Sequence, residues 1–259
     1  MDILLIGCGQ MGGALLKQWR QTRTNCFTVA DPAVPTLGTD LRHVTSASAL
    51  KGAKFDMIII AVKPQLIAQV LPDYRLALRA GGVFVSIAAG ASCATYETIL
   101  GQVPLVRVMP NLPAMVGQGV SGLYANAACT PQHLTQVTNL MAQTGKAIAV
   151  ASEDEIDRLT AISGSGPGYI FEIIRSFIKA TEGLGFSPQT AQNLVLGTMA
   201  GAVETARLSD DSAETLRDSV TSKGGTTEAG LAELCRGGIL ERLLADTVEA
   251  AYARAKALH

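Results

Sequence analysis

Ile3-Leu4-Leu5-Ile6-Gly7-Cys8-Gly9-Gln10-Met11-Gly12 is the stretch that decides the fold. Four aliphatic residues make a strand buried on both faces, the glycines stop it, and Leu15, Leu16 and Trp19 follow at helical spacing. A G-x-G-x-x-G turn between a strand and a helix is a place for a pyrophosphate. Gly7 permits the tight turn, Gly9 lets the backbone approach phosphates, and Gly12 lets the helix pack close to the strand. The amides at the helix start then face the anion. Gly7, Gly9, Gln10, Met11 and Gly12 are therefore the candidate cradle.

A second apolar run, Phe27 to Ala30, ends at Asp31. That acid lies about 20 residues past the last glycine, where dinucleotide-binding chains hold the adenosine ribose. Further short apolar runs follow at Met57–Val62, Val83–Ile87, Leu105–Met109, Val120–Tyr124 and Ala147–Val150. Helical stretches lie between several of them, notably Gln65–Arg79 and Pro131–Thr144. Strands alternating with helices predict an α/β fold with a parallel, doubly wound Rossmann-type sheet. Beyond Ser152 the strand signal ends. Glu153–Ile162, Gly168–Leu184, Pro188–Leu208, Ala213–Val220, Thr227–Arg236 and Ile239–Ala257 all carry helical patterns. The expected organisation is a dinucleotide-binding domain over 1–151 and an all-helical domain over 152–259.

Composition narrows the function. Of 259 residues 48% are hydrophobic and 17% charged, and no apolar run reaches the ~18 residues of a membrane span. A soluble chain with apolar surface to bury between subunits is expected, and a homodimer with it. The net charge of −1 and the lack of a basic run give no footprint for nucleic acid. Five scattered cysteines without a C-x-x-C pair read as reduced thiols, and the amino end lacks a signal-peptide pattern, so a cytoplasmic location is expected. No His, Cys or carboxylate cluster has the spacing of metal ligands, and none is predicted.

Open sheets bind ligands outside the carboxyl ends of their strands. Three such ends carry small residues and prolines: Ala61-Val62-Lys63-Pro64, Ala88-Ala89-Gly90 after Ile87, and Met109-Pro110-Asn111. They make a smooth floor for a ring and a ribose. Later, Thr221-Ser222-Lys223-Gly224-Gly225-Thr226-Thr227 offers backbone amides and hydroxyls that can converge on a small carboxylate, or simply a helix-capping turn.

These segments, with Ser86-Ile87-Ala88-Ala89-Gly90, Arg107-Val108-Met109-Pro110-Asn111 and Gly164-Ser165-Gly166-Pro167, resemble the pyrroline-5-carboxylate reductase family nearly end to end. The resemblance implies reduction of a cyclic imine to L-proline by NADPH or NADH, and a helical domain that intertwines with a second subunit, with dimers able to form larger rings. It implies that Ala61, Val62, Lys63, Pro64, Ile87, Ala88 and Ala89 border the cofactor. It further implies that Ser222, Gly224, Gly225, Thr226 and Thr227 embrace the substrate carboxylate and ring nitrogen, with Thr227 assisting protonation. Two positions depart from the family pattern. Lys223 stands where proline is usual, and Asp31 stands where a residue suited to a 2′-phosphate is often found, which leaves NADH open.

Two other readings compete: a relative acting on another cyclic imine or a hydroxyacid, and a non-catalytic nucleotide sensor on the same fold. Hydroxyacid dehydrogenases of this architecture place a lysine shortly after a glycine-rich turn, whereas Tyr169-Ile170-Phe171 here is apolar. Imine reduction needs less, because the C=N nitrogen takes a proton from solvent or a hydroxyl.

Overall fold

A computed structural model describes residues 1–33 and 41–258. The first aliphatic run forms β1 (Asp2–Ile6), the glycine turn leads into α1 (Gln10–Trp19), and Cys26–Ala30 forms β2. β3 (Arg42–Val44), β4 (Phe55–Ile60), a four-residue α2 (Ile67–Val70), β5 (Leu78–Ser86), α3 (Cys93–Leu100), β6 (Leu105–Met109), β7 (Gly119–Ala125), α4 (Pro131–Ala142) and β8 (Gly145–Ala149) complete an eight-stranded sheet of order β3-β2-β1-β4-β5-β6-β7-β8. The reversal of strand order beside β1 is the Rossmann-type switch point, next to the glycine turn.

The central strands bury both faces. Ile3, Leu5, Met57, Ile59, Val83 and Val85 pack with Leu15, Leu16 and Trp19 of α1 and Val137, Leu140 and Met141 of α4. Their neighbours Leu4, Ile6, Ile58, Ile60 and Phe84 pack on the other face with Ile67, Leu71, Tyr74, Tyr96 and Leu100. Each such side chain contributes about 1.5–3 kcal/mol on leaving water. Trp19 is fully buried, stacks on Phe27 and donates its indole N–H to the Leu140 carbonyl at 3.0 Å, tying α1 to α4.

Three local features depart from the sequence expectation. β7 runs antiparallel to β6, because residues 110–118 supply only a 3-10 turn, Leu112–Val116, and no crossover helix. The stretch 65–79 is no single helix: a 3-10 turn (Pro64–Leu66), α2 and a second 3-10 run (Leu71–Ala77) succeed one another before β5. Pro72 has no N–H to give to a helical ladder, which is why the run tightens there. β3 and α3 arise where no element was expected.

The helical part comprises α5 (Glu153–Leu159), continued by a π turn (Thr160–Gly164), then α6 (Gly166–Glu182), α7 (Pro188–Leu208), α8 (Ala213–Ser219), α9 (Thr226–Leu234) and α10 (Ile239–Lys256). Strands stop before Ser152, and the chain packs as two compact units. One compact unit holds Met1–Pro167 and Ala251–His259, and the other holds Gly168–Ala250. Within the first unit the end of α10 returns to α5, where the Tyr252 hydroxyl donates to Asp154 and Arg158 lies over the Tyr252 ring.

α5 is pinned to the sheet by a buried charge. Arg107 on β6 is 4% exposed and pairs with Glu153, whose Oε1 also accepts the Cys93 N–H at 2.9 Å. Burial pushes the Glu153 carboxyl up, but the Cys93 amide and the Arg107 guanidinium outweigh it and hold the group below the usual carboxylate range. Its stabilisation is therefore full above the unfolded-state value of about 4.3 and is lost as pH falls through the lower folded-state value. Glu153→Gln is expected to destabilise the protein at pH 7 by about 1–3 kcal/mol, less than the ~3–5 kcal/mol of a fully buried broken pair because the carboxylate is partly exposed. In thermal melts the gap to the unaltered protein should close below about pH 4. A gap independent of pH would show that the charge of Glu153 contributes nothing.

Candidate active site

The glycine turn has the shape its spacing predicts. Gly7 sits at φ +89°, and a Cβ there would lie 2.8 Å from the Ala61 carbonyl oxygen. A Cβ on Gly12 would lie 2.7 Å from the Gly7 oxygen and 3.1 Å from the Ala61 Cβ, so helix, turn and β4 meet at contact distance. Gly9 is different. A Cβ there would meet nothing within 4 Å, and Gly9 and Gln10 are exposed while Met11 leans on the core. Two of the glycines are demanded by packing, and the third leaves an open approach to the amides of α1, whose N-cap Gly9 offers no side chain to them.

The turns beyond the strands are set level by one extra ladder bond each. Gly7 donates to Ala30, Asp31 to Val44, Ala61 to Ile6 and Ile87 to Ile60, at 2.8–3.0 Å. This brings the predicted cradle, Asp31, and the segments starting at Ala61 and Ile87 to one edge of the sheet. Ala61 and Val62 are half-buried, Lys63 and Pro64 exposed, Ala88 half-buried and Ala89 exposed. The Ile87 side chain is buried in the core, so only its backbone belongs to this edge. The Ser86 hydroxyl accepts the Ala88 N–H at 3.2 Å and bonds to the buried Tyr96 hydroxyl, which fixes the turn after β5.

Asp31 has a second task that its spacing does not reveal. Its Oδ2 accepts the Cys8 N–H at 2.6 Å and its Oδ1 the Ala33 N–H at 2.8 Å, so the carboxylate clamps the glycine turn itself. A carboxylate has about four acceptor positions, and the two left over can take ribose hydroxyls. Burial, then the Asp31 charge, push the Cys8 thiol up, which keeps it a protonated, unreactive thiol at neutral pH. His43 completes the cluster, its Nε2 lying 2.7 Å from the Asp31 carbonyl.

Asn111, which the sequence marked only as part of the strand end after β6, and Ser163, which it did not mark, carry much of the positioning. The buried Asn111 amide donates to the Ser163 carbonyl and hydroxyl at 3.2 and 3.1 Å, and its oxygen accepts the Val120 N–H at 2.8 Å. The Ser163 hydroxyl in turn donates to the Val120 carbonyl. This network locks the π turn after α5 to the loop after β6. A Cβ on Gly164 would lie 2.8 Å from the Met109 Cε.

In the second unit, Ser222-Lys223-Gly224-Gly225 forms a β-turn. The Ser222 carbonyl accepts the Gly225 N–H at 3.0 Å, and Gly224 lies at φ +74° while Lys223 does not have positive φ. That combination is a type II turn, with glycine at its third position and Lys223 at the second, where proline fits best. A Cβ on Gly225 would lie 2.5 Å from the Ser222 hydroxyl oxygen, so a side chain there would push that hydroxyl aside. Gly225 is the N-cap of α9 without a side-chain bond, and Thr226 and Thr227 are its first two residues, the first exposed and the second half-buried. The turn thus gathers Ser222, Gly224, Gly225, Thr226 and Thr227 at one helix start. Lys223 is exposed. Among the described residues, no group of three or more His, Cys, Asp or Glu is placed to hold a metal ion.

Residues 153–258 match the family described as pyrroline-5-carboxylate reductase dimerisation, and residues 2–90 match that of NADP oxidoreductase, coenzyme F420-dependent. The chain is 36% identical to the pyrroline-5-carboxylate reductase of Pseudomonas aeruginosa over 99% of its own length and 96% of the relative's. Its fold superimposes on the solved structure of the Coxiella burnetii pyrroline-5-carboxylate reductase with a TM-score of 0.91 at 31% identity, covering 99% and 97% of the two chains. For the Plasmodium falciparum pyrroline carboxylate reductase, solved with NADP bound, the score is 0.87 at 30% identity, covering 100% and 98%.

The different surroundings of the glycines give opposite expectations. Gly12→Ala forces a Cβ against the Gly7 carbonyl and should destabilise the fold by about 1–3 kcal/mol in thermal melts. Gly9→Ala, at φ −70° with open space, should melt within about 0.5 kcal/mol of the unaltered protein. Its loss should appear in fluorescence titration, as weaker binding of a reduced nicotinamide dinucleotide. Equal binding by Gly9→Ala would remove that amide approach from the site.

Proposed function

Since this chain belongs to the pyrroline-5-carboxylate reductase family, and so reduces 1-pyrroline-5-carboxylate to L-proline with NAD(P)H in proline biosynthesis, we propose how its own residues divide that work. The observation that carries the division is the pair of glycine-capped helix starts, at Gly9 and at Gly225. Neither has a side-chain acceptor for its first-turn amides, and each therefore suits an anion: the cofactor pyrophosphate at α1 and the substrate carboxylate at α9.

The residues fit the cofactor. Gly7, Gly9, Gln10, Met11 and Gly12 cradle the pyrophosphate, Asp31 accepts from the adenosine ribose, and Ala61 to Pro64 with Ile87 to Ala89 form the floor along the sheet edge. NAD(P)H, when bound, supplies the hydride. The protein's part is to hold and orient. The Ser222 hydroxyl and the amides of Gly224 and Thr226 fix the carboxylate, Gly225 shapes the turn by giving its own amide to the Ser222 carbonyl, and the Thr227 hydroxyl hydrogen-bonds the ring nitrogen and assists its protonation.

Residues 152–259 form the helical substrate-binding and dimerisation domain in this proposal, and the assembly is a homodimer able to build larger oligomers. Large apolar side chains on α6 and α7 support this: Phe171 is 55% exposed, Val203 67% and Leu208 69% in the single chain. A surface of that kind calls for a second copy. Light scattering on the purified protein reads that state directly. No helix among the described residues is long and apolar enough to cross a membrane, and the proposed location is cytoplasmic.

Thr227→Ala should lower kcat by about a hundredfold, the low end for loss of a group that assists proton transfer, with little change in cofactor affinity. An unaltered kcat would take Thr227 out of the reaction. Asp31 sets the choice of cofactor, because a 2′-phosphate charge about 4 Å from the carboxylate costs about 1–4 kcal/mol. Asp31→Ser also frees the Cys8 amide and weakens the turn for both cofactors, so the informative quantity is the ratio of kcat/KM for NADH over NADPH. That ratio should fall about tenfold or more. If it holds or rises, Asp31 serves the loop alone.

A further inference from the structure

One of the amides assigned above to the substrate carboxylate already carries a carboxylate. Glu228, in the first turn of α9, reaches back four residues, and its Oε2 accepts the Gly224 N–H at 2.7 Å. The same reach occurs at α5, where Glu155 accepts the Ala151 N–H at 2.8 Å. There it belongs to a complete helix cap, because the Ser152 hydroxyl takes the Glu155 N–H. At α9 the N-cap is Gly225, with no hydroxyl to share the task, and the amide in question sits at the tip of a type II turn flanked by Ser222, Thr226 and Thr227.

Resting on the assignment of this turn to the substrate carboxylate, we propose that Glu228 is an internal substitute for that carboxylate, one that holds the Gly224 amide between turnovers and must swing away to admit a carboxylated cyclic imine. The two carboxylates cannot share the amide. It has one hydrogen to give, and like charges a few ångströms apart repel. Glu228 is exposed, so its departure costs one hydrogen bond and returns hydration to the side chain. An exposed interaction of this size makes a displaceable competitor and not a lock. It raises the threshold for every acid that enters and leaves a ligand without a carboxylate largely indifferent, and so sets selectivity.

The test is steady-state reduction of 1-pyrroline-5-carboxylate and of 1-pyrroline, the same ring without the carboxylate, by the full-length protein and by Glu228→Ala and Glu228→Gln. The quantity read is the ratio of kcat/KM for the carboxylated over the bare ring. Under the proposal Glu228→Ala raises that ratio about three- to tenfold, the worth of one exposed charge-assisted hydrogen bond, through a lower KM for the acid. Glu228→Gln raises it less, because its amide oxygen still accepts the Gly224 N–H but carries no charge. A ratio in Glu228→Ala equal to or below that of the unaltered protein overturns the proposal and leaves Glu228 a helix cap. Ser222→Ala, assayed in parallel, separates the two ways of failing. If Ser222→Ala lowers the ratio while Glu228→Ala does not move it, the turn holds the carboxylate and only the role of Glu228 falls. If neither moves it, the carboxylate assignment falls as well.

Discussion

The first amides of a helix need acceptors, and how each helix start meets that need organises this protein. Among the described residues, α3, α4, α5, α7 and α8 begin at Ser92, Thr130, Ser152, Ser187 and Ser212, each accepting an amide of its own first turn. α1 and α9 also begin from extended chain, but at glycine. Glycine in place of a hydroxyl cap costs only a few tenths of a kcal/mol. For α1 that loss is negligible beside the burial of Leu15, Leu16 and Trp19. α1 and α9, one in each unit, thus start at an extended glycine with no hydroxyl cap, and an anionic group is the acceptor such a start lacks.

Amides are useful only if the turns that bear them are held still. In the first unit this is done by backbone bonds one step past each strand and by three polar clusters beneath them. Asp31 clamps the glycine turn, Ser86 and Tyr96 hold the turn after β5, and Asn111 with Ser163 joins the loop after β6 to the π turn. Arg107 and Glu153 then fix α5 to the sheet. A buried guanidinium is expensive to desolvate, and it is tolerated because Glu153 meets it directly and is itself met by the Cys93 amide. Burial, reinforced by Glu153, pushes the Cys93 thiol up to about 12, so the cluster carries no reactive sulfur.

Much of this was legible in the sequence because it is local. Aliphatic runs of four to six residues mark the central strands, and Gly7 and Gly12 announce a close helix–strand contact whatever the rest of the chain does. What was not legible depends on partners distant in sequence. β3 is three residues long and acquires its strand character by pairing with β2 at the sheet edge. The reversal at β7 depends on a loop too short for a crossover, which the alternating pattern does not register. Pro72 could have warned against a continuous helix over 65–79. At the site, the spacing of Asp31 pointed to a ribose, but its bond to Cys8 requires β2 to lie beside β1. Asn111 and Ser163 stand 52 positions apart, and neither residue type signals a network on its own.

The type II turn before α9 shows how such a site tolerates a change in its own rigidity. Proline at the second position would pre-set φ, and replacing it with lysine enlarges the unfolded ensemble at a cost of about 0.4–1 kcal/mol. The turn nevertheless keeps its geometry. Gly224 adopts its positive φ without strain, Ser222 accepts the Gly225 amide, and Glu228 ties Gly224 to the helix that follows. The contact that competes with the substrate therefore also holds the turn that a proline would otherwise stiffen. An arriving carboxylate that takes the Gly224 amide replaces this tie with one of the same chemistry, so the turn stays braced through binding even as Glu228 leaves.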